Sequence, residues 1–431
     1  MRYKAIVIKS QTQVGGVAAI LIWMPFLFGT LISFMTVHYA VRYVLDFVWA
    51  MLLALMGVQR MRNNRKRTSV IAIWILVFLI YTAMVYIVQY QSAFYYLWGL
   101  RNNFRFFVAF FAFTAFLKAD DIKGLFKFFD IVFWINLAVS LYQFFALELS
   151  GDYLGGIFGV EKGTNAYTNI FFVIMFTKDI IFYLEKKVKI STCVLKSIAM
   201  LLIAALAELK FFFVEFVLII AFASLFTNFT WRKILVILGG AVAVVTFAAL
   251  LGTLFPIFKG FLSLDYFFET GLSDNGYTSS GDLNRLNAIA KINQYWLKTP
   301  WQRLFGLGLG NCDTANFAFL ETPFYESYGT MHYTWISYAM MYLECGWIGL
   351  IFYFGFFVLL YIFMRRMEKR STGIAASYCR MGRILALMCM LIAIYNSSLR
   401  TEAGYIMYFA LSVPFVMCKN RNGAAGRGIQ K

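Results

Sequence analysis

"MHYTWISYAMMYLECGWIGLIFYFGFFVLLYIFMRRMEKR" spans Met331 to Arg370. Between His332 and Arg365 the only charged residue is Glu344. About twenty apolar residues suffice to cross a ~30 Å hydrocarbon layer as a helix. The run over 334–363 therefore reads as a transmembrane helix. Its far end carries "RRMEKR", a cluster suited to a cytoplasmic border. Its near end carries one of only two histidines in the chain.

The whole chain follows the same pattern. Of its 431 residues, 61% are hydrophobic and 19% aromatic, and mean hydropathy is +0.71. Soluble domains average roughly 45–50% apolar residues, so a water-soluble core cannot absorb this excess. The fold class expected is an all-α integral membrane protein. Apolar runs with charged punctuation place twelve transmembrane helices at 16–36, 39–57, 70–91, 104–117, 125–147, 165–184, 192–208, 211–228, 234–256, 334–363, 382–398 and 403–418. The organisation expected is nine helices over 1–256, one large extracytoplasmic loop over 257–333, three helices over 334–418 and a tail over 419–431.

Lys and Arg set the orientation. "RMRNNRKR" (Arg60 to Arg67), "EKKVK" (Glu185 to Lys189), "WRK" (Trp231 to Lys233) and "RRMEKR" fall on alternate connections. By the positive-inside rule both termini are cytoplasmic. The net charge of +18 then belongs to loops bordering anionic lipid, not to a nucleic-acid partner. No cleavable signal peptide is evident, because "GTLISFM" is a poor cleavage site. The six cysteines show no metal-ligand spacing, and only Cys312 falls in an outer loop, so neither a metal centre nor a structural disulfide is expected.

The long loop contains "SSGDLNRLNAIAKINQYWLKTP", Ser279 to Pro300. Ser280 can cap a helix, with Asp282 in its first turn. Ile289, Ile292, Trp296 and Leu297 recur at helical spacing, so an amphipathic helix on the outer surface is expected. "LFGLGLG" (Leu304 to Gly310) lacks the strand–helix context of a nucleotide cradle. Its glycines suit a turn that returns the loop to the bundle. Asp120 and Asp121 lie between lysines on the cytoplasmic side and read as a solvated loop. His38 sits in a tight turn and reads as interfacial.

The outer side carries cations where the positive-inside rule disfavours them: Arg101, Arg105, Lys210, Arg285 and Arg400, joined by His332. Such a group suits an anion presented from the lipid, above all a lipid-linked diphosphate. Arginine forks match phosphate oxygens and lysine adds a point charge. His332 can act as a general acid or base near neutral pH.

The stretch from Arg285 to Phe354 resembles the O-antigen ligase/polymerase superfamily. An arginine precedes a tryptophan on one helix (Arg285, Trp296), "LFGLGLGN" follows, and His332, Glu344, Gly346, Gly349 and Leu350 match the family's histidine–glutamate–glycine run. Tyr333 stands where asparagine is usual. "GLRNNFRFF" (Gly99 to Phe107), "LGGIFGVEKGTNAYTNIF" (Leu154 to Phe171) and "AELKFF" (Ala207 to Phe212) resemble polymerases of capsule, exopolysaccharide and O-antigen repeat units.

The resemblance implies a type C glycosyltransferase-like membrane fold and a metal-independent enzyme of polysaccharide biosynthesis, with no cofactor, in the bacterial cytoplasmic (inner) membrane. The donor implied is a growing glycan on undecaprenyl diphosphate, and the acceptor another lipid-linked repeat unit. Lys210, Arg285 and Arg400, with Arg101 and Arg105 behind them, would bind the diphosphate. His332 and Arg285 would serve catalysis. The resemblance also implies a chain-length regulator as a protein partner. A ligase that transfers glycan to lipid A-core is the alternative enzyme, and a lipid-linked oligosaccharide flippase the alternative from another class.

Overall fold

The computed structural model describes residues 2–62, 69–254 and 281–425. The Ser280 cap and residues 257–280 of the long loop lie outside the described residues. The protein is 81% helical, without a strand among the described residues. The long helices are α1 (Arg2–Gly29), α2 (Val44–Arg62), α3 (Val70–Val88), α4 (Ala93–Phe116), α5 (Ala119–Ala146), α6 (Asn165–Leu184), α7 (Ile190–Leu206), α8 (Lys210–Phe226) and α9 (Trp231–Leu254). Three short helices follow the long connection: α10 (Ala288–Tyr295), α11 (Pro300–Phe305) and α12 (Pro323–Tyr328). The chain closes with α13 (Ser337–Lys369), α14 (Ile374–Tyr395) and α15 (Ala403–Ala425).

Seven helices among the described residues are long and apolar enough to cross a membrane: α1, α2, α3, α5, α6, α13 and α14, the first two with their flanking turns. Ile190–Leu206 and Ala403–Lys419 are apolar but shorter. The architecture fits an all-α multi-pass membrane protein but not the expected count of twelve. At α4 the reason is chemical. The sequence suggests a span beginning at 104, yet the helix starts at Ala93 and carries Arg101, Asn102, Asn103 and Arg105 in its middle. Asn102, Asn103 and Arg105 are buried: Asn102 donates to Asp313 at 2.9 Å, Asn103 to the Gly99 carbonyl one turn back at 2.9 Å, and Arg105 lies 3.5 Å from Glu402. A polar helix middle is tolerated in a membrane when it faces protein instead of lipid.

Other boundaries move for similar reasons. Asp120 and Asp121 lie in the first turn of α5, where Asp121 accepts the Lys118 backbone N–H at 2.8 Å. Acidic groups are stabilised there by the helix dipole. The expected cytoplasmic connection 364–381 shrinks to a short turn. Glu368 near the end of α13 takes Arg380 at 2.9 Å and Arg383 at 2.5 Å, both from α14. His38 caps the 3-10 turn Tyr39–Tyr43 by accepting from the Ala40 N–H at 3.2 Å.

α6 is the central helix, with its whole apolar window buried inside the protein. A helix enclosed on all sides directs every polar side chain at protein. Thus Asn165, Thr168 and Asn169 at its first turns face inward, at the end of the bundle where the long connection enters.

Candidate functional site

Two glycine features bring the loop onto the bundle. Gly306, Gly308 and Gly310 all have positive φ, between 76° and 101°. The Leu307 and Gly308 N–H groups donate to the carbonyls of Leu343 and Glu344, each at 2.9 Å. On the receiving side, Gly346 breaks the helical geometry of α13 (φ 62°, ψ −165°). A Cβ on Gly346 would lie 2.3 Å from the Leu304 carbonyl oxygen. "GLGLG" is therefore a docking turn, and two of its N–H donors are already used by α13.

The amphipathic helix is shorter than its sequence pattern. Ala288, Ile292 and Leu297 are fully buried, so α10 packs onto the bundle, and Tyr342 donates to Asn293 Oδ1 at 2.6 Å. Trp296 packs edge-on against Phe324 and Tyr333. Asp282 and Arg285 precede α10 on a segment held in place by the Leu283 N–H donating to the Met331 carbonyl at 3.0 Å.

Beside this segment lies a cavity of about 450 Å³. Its walls come from the loop before α6, the first turns of α6 and α8, the turn after α14, and Arg285 and Trp335. Four cations line it, Arg42, Lys162, Lys210 and Arg285, with three carboxylates, Asp152, Glu161 and Glu208. The sequence suggested a basic pocket; the structure has one in which carboxylates stand among the cations. Arg42 pairs with Glu161 at 2.8 Å, and Lys210 lies 4.0 Å from Glu208.

Arg285 has no carboxylate within salt-bridge distance among the described residues. Its Nε donates to the Tyr395 carbonyl at 2.8 Å, and its guanidinium lies over the Tyr395 ring at 4.5 Å. The opposite partner of that ring is Phe211, stacked at 4.0 Å and 5°. Stacking on an aromatic holds a guanidinium in place without neutralising it. Asn165, Asn169, Asn396, Ser397 and Thr401 add amide and hydroxyl groups to the lining.

The structure separates the sequence-selected residues into two groups. Lys210 and Arg285 share the cavity. His332 stands at its margin: its ring stacks on Trp335 at 3.8 Å, and Trp335 lines the cavity. The other three are committed to internal carboxylates and do not line it. Arg101 chelates Asp46 through three contacts of 2.9–3.1 Å. Arg105 lies 3.5 Å from Glu402 and 3.9 Å from Asp46. Arg400 meets Asp313 at 2.7 Å. Glu402, just before α15, shows the strength of this field. Burial alone would raise its pKa, but Arg105 and Arg42 hold it down at about 2.

Glu344 is fully buried; its Oε1 accepts the Cys312 N–H at 3.3 Å while Oε2 has no partner among the described residues. Burial pushes the Cys312 thiol well above its ordinary range, and all six cysteines are free. Among the described residues no cluster of His, Cys, Asp or Glu could hold a metal ion.

Sequence reasoning did not single out Arg42, Lys162, Asp152, Glu161, Glu208, Trp335 or Tyr395 for the site. A signal existed for three of them, because Glu161 and Lys162 stand in the polymerase-like stretch Leu154 to Phe171 and Glu208 in the stretch Ala207 to Phe212. Arg42 carried only the weaker signal of a charge among aromatics at a span end. No protein-family model matches the chain, and no curated protein matches it either.

Proposed function

We propose that the protein is a polysaccharide polymerase: a metal-independent glycosyltransferase that moves a growing glycan from undecaprenyl diphosphate to a lipid-linked repeat unit. The site lies on the outer face of the cytoplasmic membrane. The observation that carries this reading is the cavity in which Arg285, stacked on Tyr395 and free of carboxylates among the described residues, meets Lys210. A diphosphate leaving group gathers negative charge as its bond to sugar breaks. A fixed guanidinium and an ammonium stabilise that charge where it develops. The carboxylates, amides and aromatic faces of the same walls suit the hydroxyls and apolar faces of sugar rings. A diphosphate-activated donor needs no nucleotide at the site, and its isoprenoid chain lies in the bilayer that the apolar helices occupy.

The test is alanine substitution at Arg285, Lys210 and His332 in a strain lacking the gene, with polymer length followed on gels. Loss of long polymer is expected. Full-length polymer from all three variants at normal protein level would overturn the proposal. Single repeat units on the acceptor mark a lost polymerase, whereas accumulated free lipid-linked polymer would mark a ligase instead.

A further inference from the structure

We infer that Asp282 is the positioning residue for His332, fixing its tautomer so that Nε2 accepts the proton of the attacking sugar hydroxyl. The inference rests on the transferase reading above, and deepens it by assigning a residue that the sequence read only as part of a helix start.

Three observations carry it. First, Asp282 Oδ1 lies 2.5 Å from His332 Nδ1, across 50 residues of chain. A ring nitrogen held by a carboxylate carries the proton, which leaves the lone pair on the other nitrogen. Second, the ring is fixed in place. His332 has left-handed backbone (φ 52°, ψ 29°), and its ring lies flat on Trp335 at 19°. Yet its side chain is 38% exposed, so an incoming hydroxyl has access. Third, the pair adjoins the diphosphate candidates. Asp282 is three residues from Arg285 on one segment, and Trp335 carries the stack to the cavity wall. Among the described residues, charged groups near the ring include Asp282, bonded to it, Lys162, whose ammonium lies over Trp335 at 5.1 Å, and Arg285, which lines the same cavity as Trp335.

The chemistry balances. The acceptor oxygen forms a bond to the anomeric carbon of the donor. The bond between that carbon and the phosphate oxygen breaks, and its electron pair leaves with the diphosphate. The hydroxyl proton passes to His332 Nε2. The imidazolium so formed is stabilised by ionised Asp282, and it returns the proton to water before the next transfer. Asp282 holds the Nδ1–H throughout, which is the role a buttressing carboxylate plays beside a histidine base.

The test is a pH–rate profile with purified full-length protein in vesicles and undecaprenyl-diphosphate-linked repeat units from cells lacking the gene. Removing the carboxylate leaves the ring tautomer unfixed and the imidazolium without its counter-charge. Asp282→Asn should therefore reduce kcat tenfold or more, with KM little changed, and alter the shape of the profile. Asp282→Glu should restore part of the rate, and serves as the second variant if Asp282→Asn does not fold. In a His332→Gln background, Asp282→Asn should add little further loss, because the two side chains act as a unit.

An unchanged profile in Asp282→Asn, or a uniform loss at every pH with additive double-variant effects, overturns the pairing. Inactive Arg285→Ala beside a normal Asp282→Asn profile would sink the pairing alone. Full activity in Arg285→Ala, Lys210→Ala and His332→Ala alike would instead sink the transferase reading on which it depends.

Discussion

Arg400 Nη2 lies 2.7 Å from Asp313 Oδ2, joining the turn before α15 to the loop that follows the glycine turn. Asn102 of α4 reaches the same Asp313 oxygen at 2.9 Å. Both partners of the ion pair are nearly enclosed. The pair therefore ties three segments together at the loop end of the bundle. Arg400→Ala strands a buried carboxylate, a change that costs about 3–5 kcal/mol. We expect it to lower thermal stability in detergent far more than Arg285→Ala, whose side chain faces an open cavity. Equal melting temperatures for the two variants would refute this division of labour.

Glu402 gives the pH dependence a definite sign. Its folded pKa is about 2 against an ordinary 4.5. A depressed carboxylate contributes stability that is present above the ordinary value and lost as pH falls through the folded one. The stability gap between the native protein and Glu402→Gln should thus be widest above pH 4.5 and close between about 4.5 and 2. Melting temperature against pH for both proteins measures it.

Gly310 and Gly163 share a φ of +87° but differ in surroundings. A Cβ on Gly310 would sit 1.9 Å from the Tyr95 carbonyl oxygen, whereas one on Gly163 would meet nothing within 4 Å. Gly163→Ala should cost only the left-handed backbone penalty, about 1–2 kcal/mol. Gly310→Ala must also push the loop off α4, so it should unfold at markedly lower temperature. Thermal unfolding of the two purified variants compares them directly.

At the cavity, geometry distinguishes the two principal cations. Arg285 uses a planar fork stacked on Tyr395, so Arg285→Lys should fail to preserve polymer synthesis. Lys210 sits at the start of α8 and acts as a point charge, so Lys210→Arg should retain it. Loss of either charge to alanine should slow turnover by about 10²–10³-fold, the usual scale for removing one stabiliser of developing charge. Rates on lipid-linked repeat units with matched protein levels check all four variants.

Much of this protein is legible along the chain. Apolar runs such as 70–91 and 165–184 give their helices within a few residues, because burial in lipid or protein demands uninterrupted apolar sequence and internal backbone hydrogen bonding. "GLGLG" marked a turn that returns the loop, because three glycines tolerate backbone that other residues resist. Lys210, Arg285 and His332 stood out as polar groups at the ends of apolar spans.

What the chain could not reveal alone is which charges face each other. Arg105, Arg400 and Arg101 look equal to Arg285 in sequence, but Glu402, Asp313 and Asp46 occupy them in the fold. Those partners lie tens to hundreds of residues away, as Asp282 does from His332. A Coulomb interaction depends on distance and burial, neither of which sequence spacing encodes between helices. Composition and periodicity determined that the helices form and are apolar. Packing around the central α6 decided which of the cations picked out in the sequence stay structural and which two of them, Lys210 and Arg285, join Arg42 and Lys162 at the cavity.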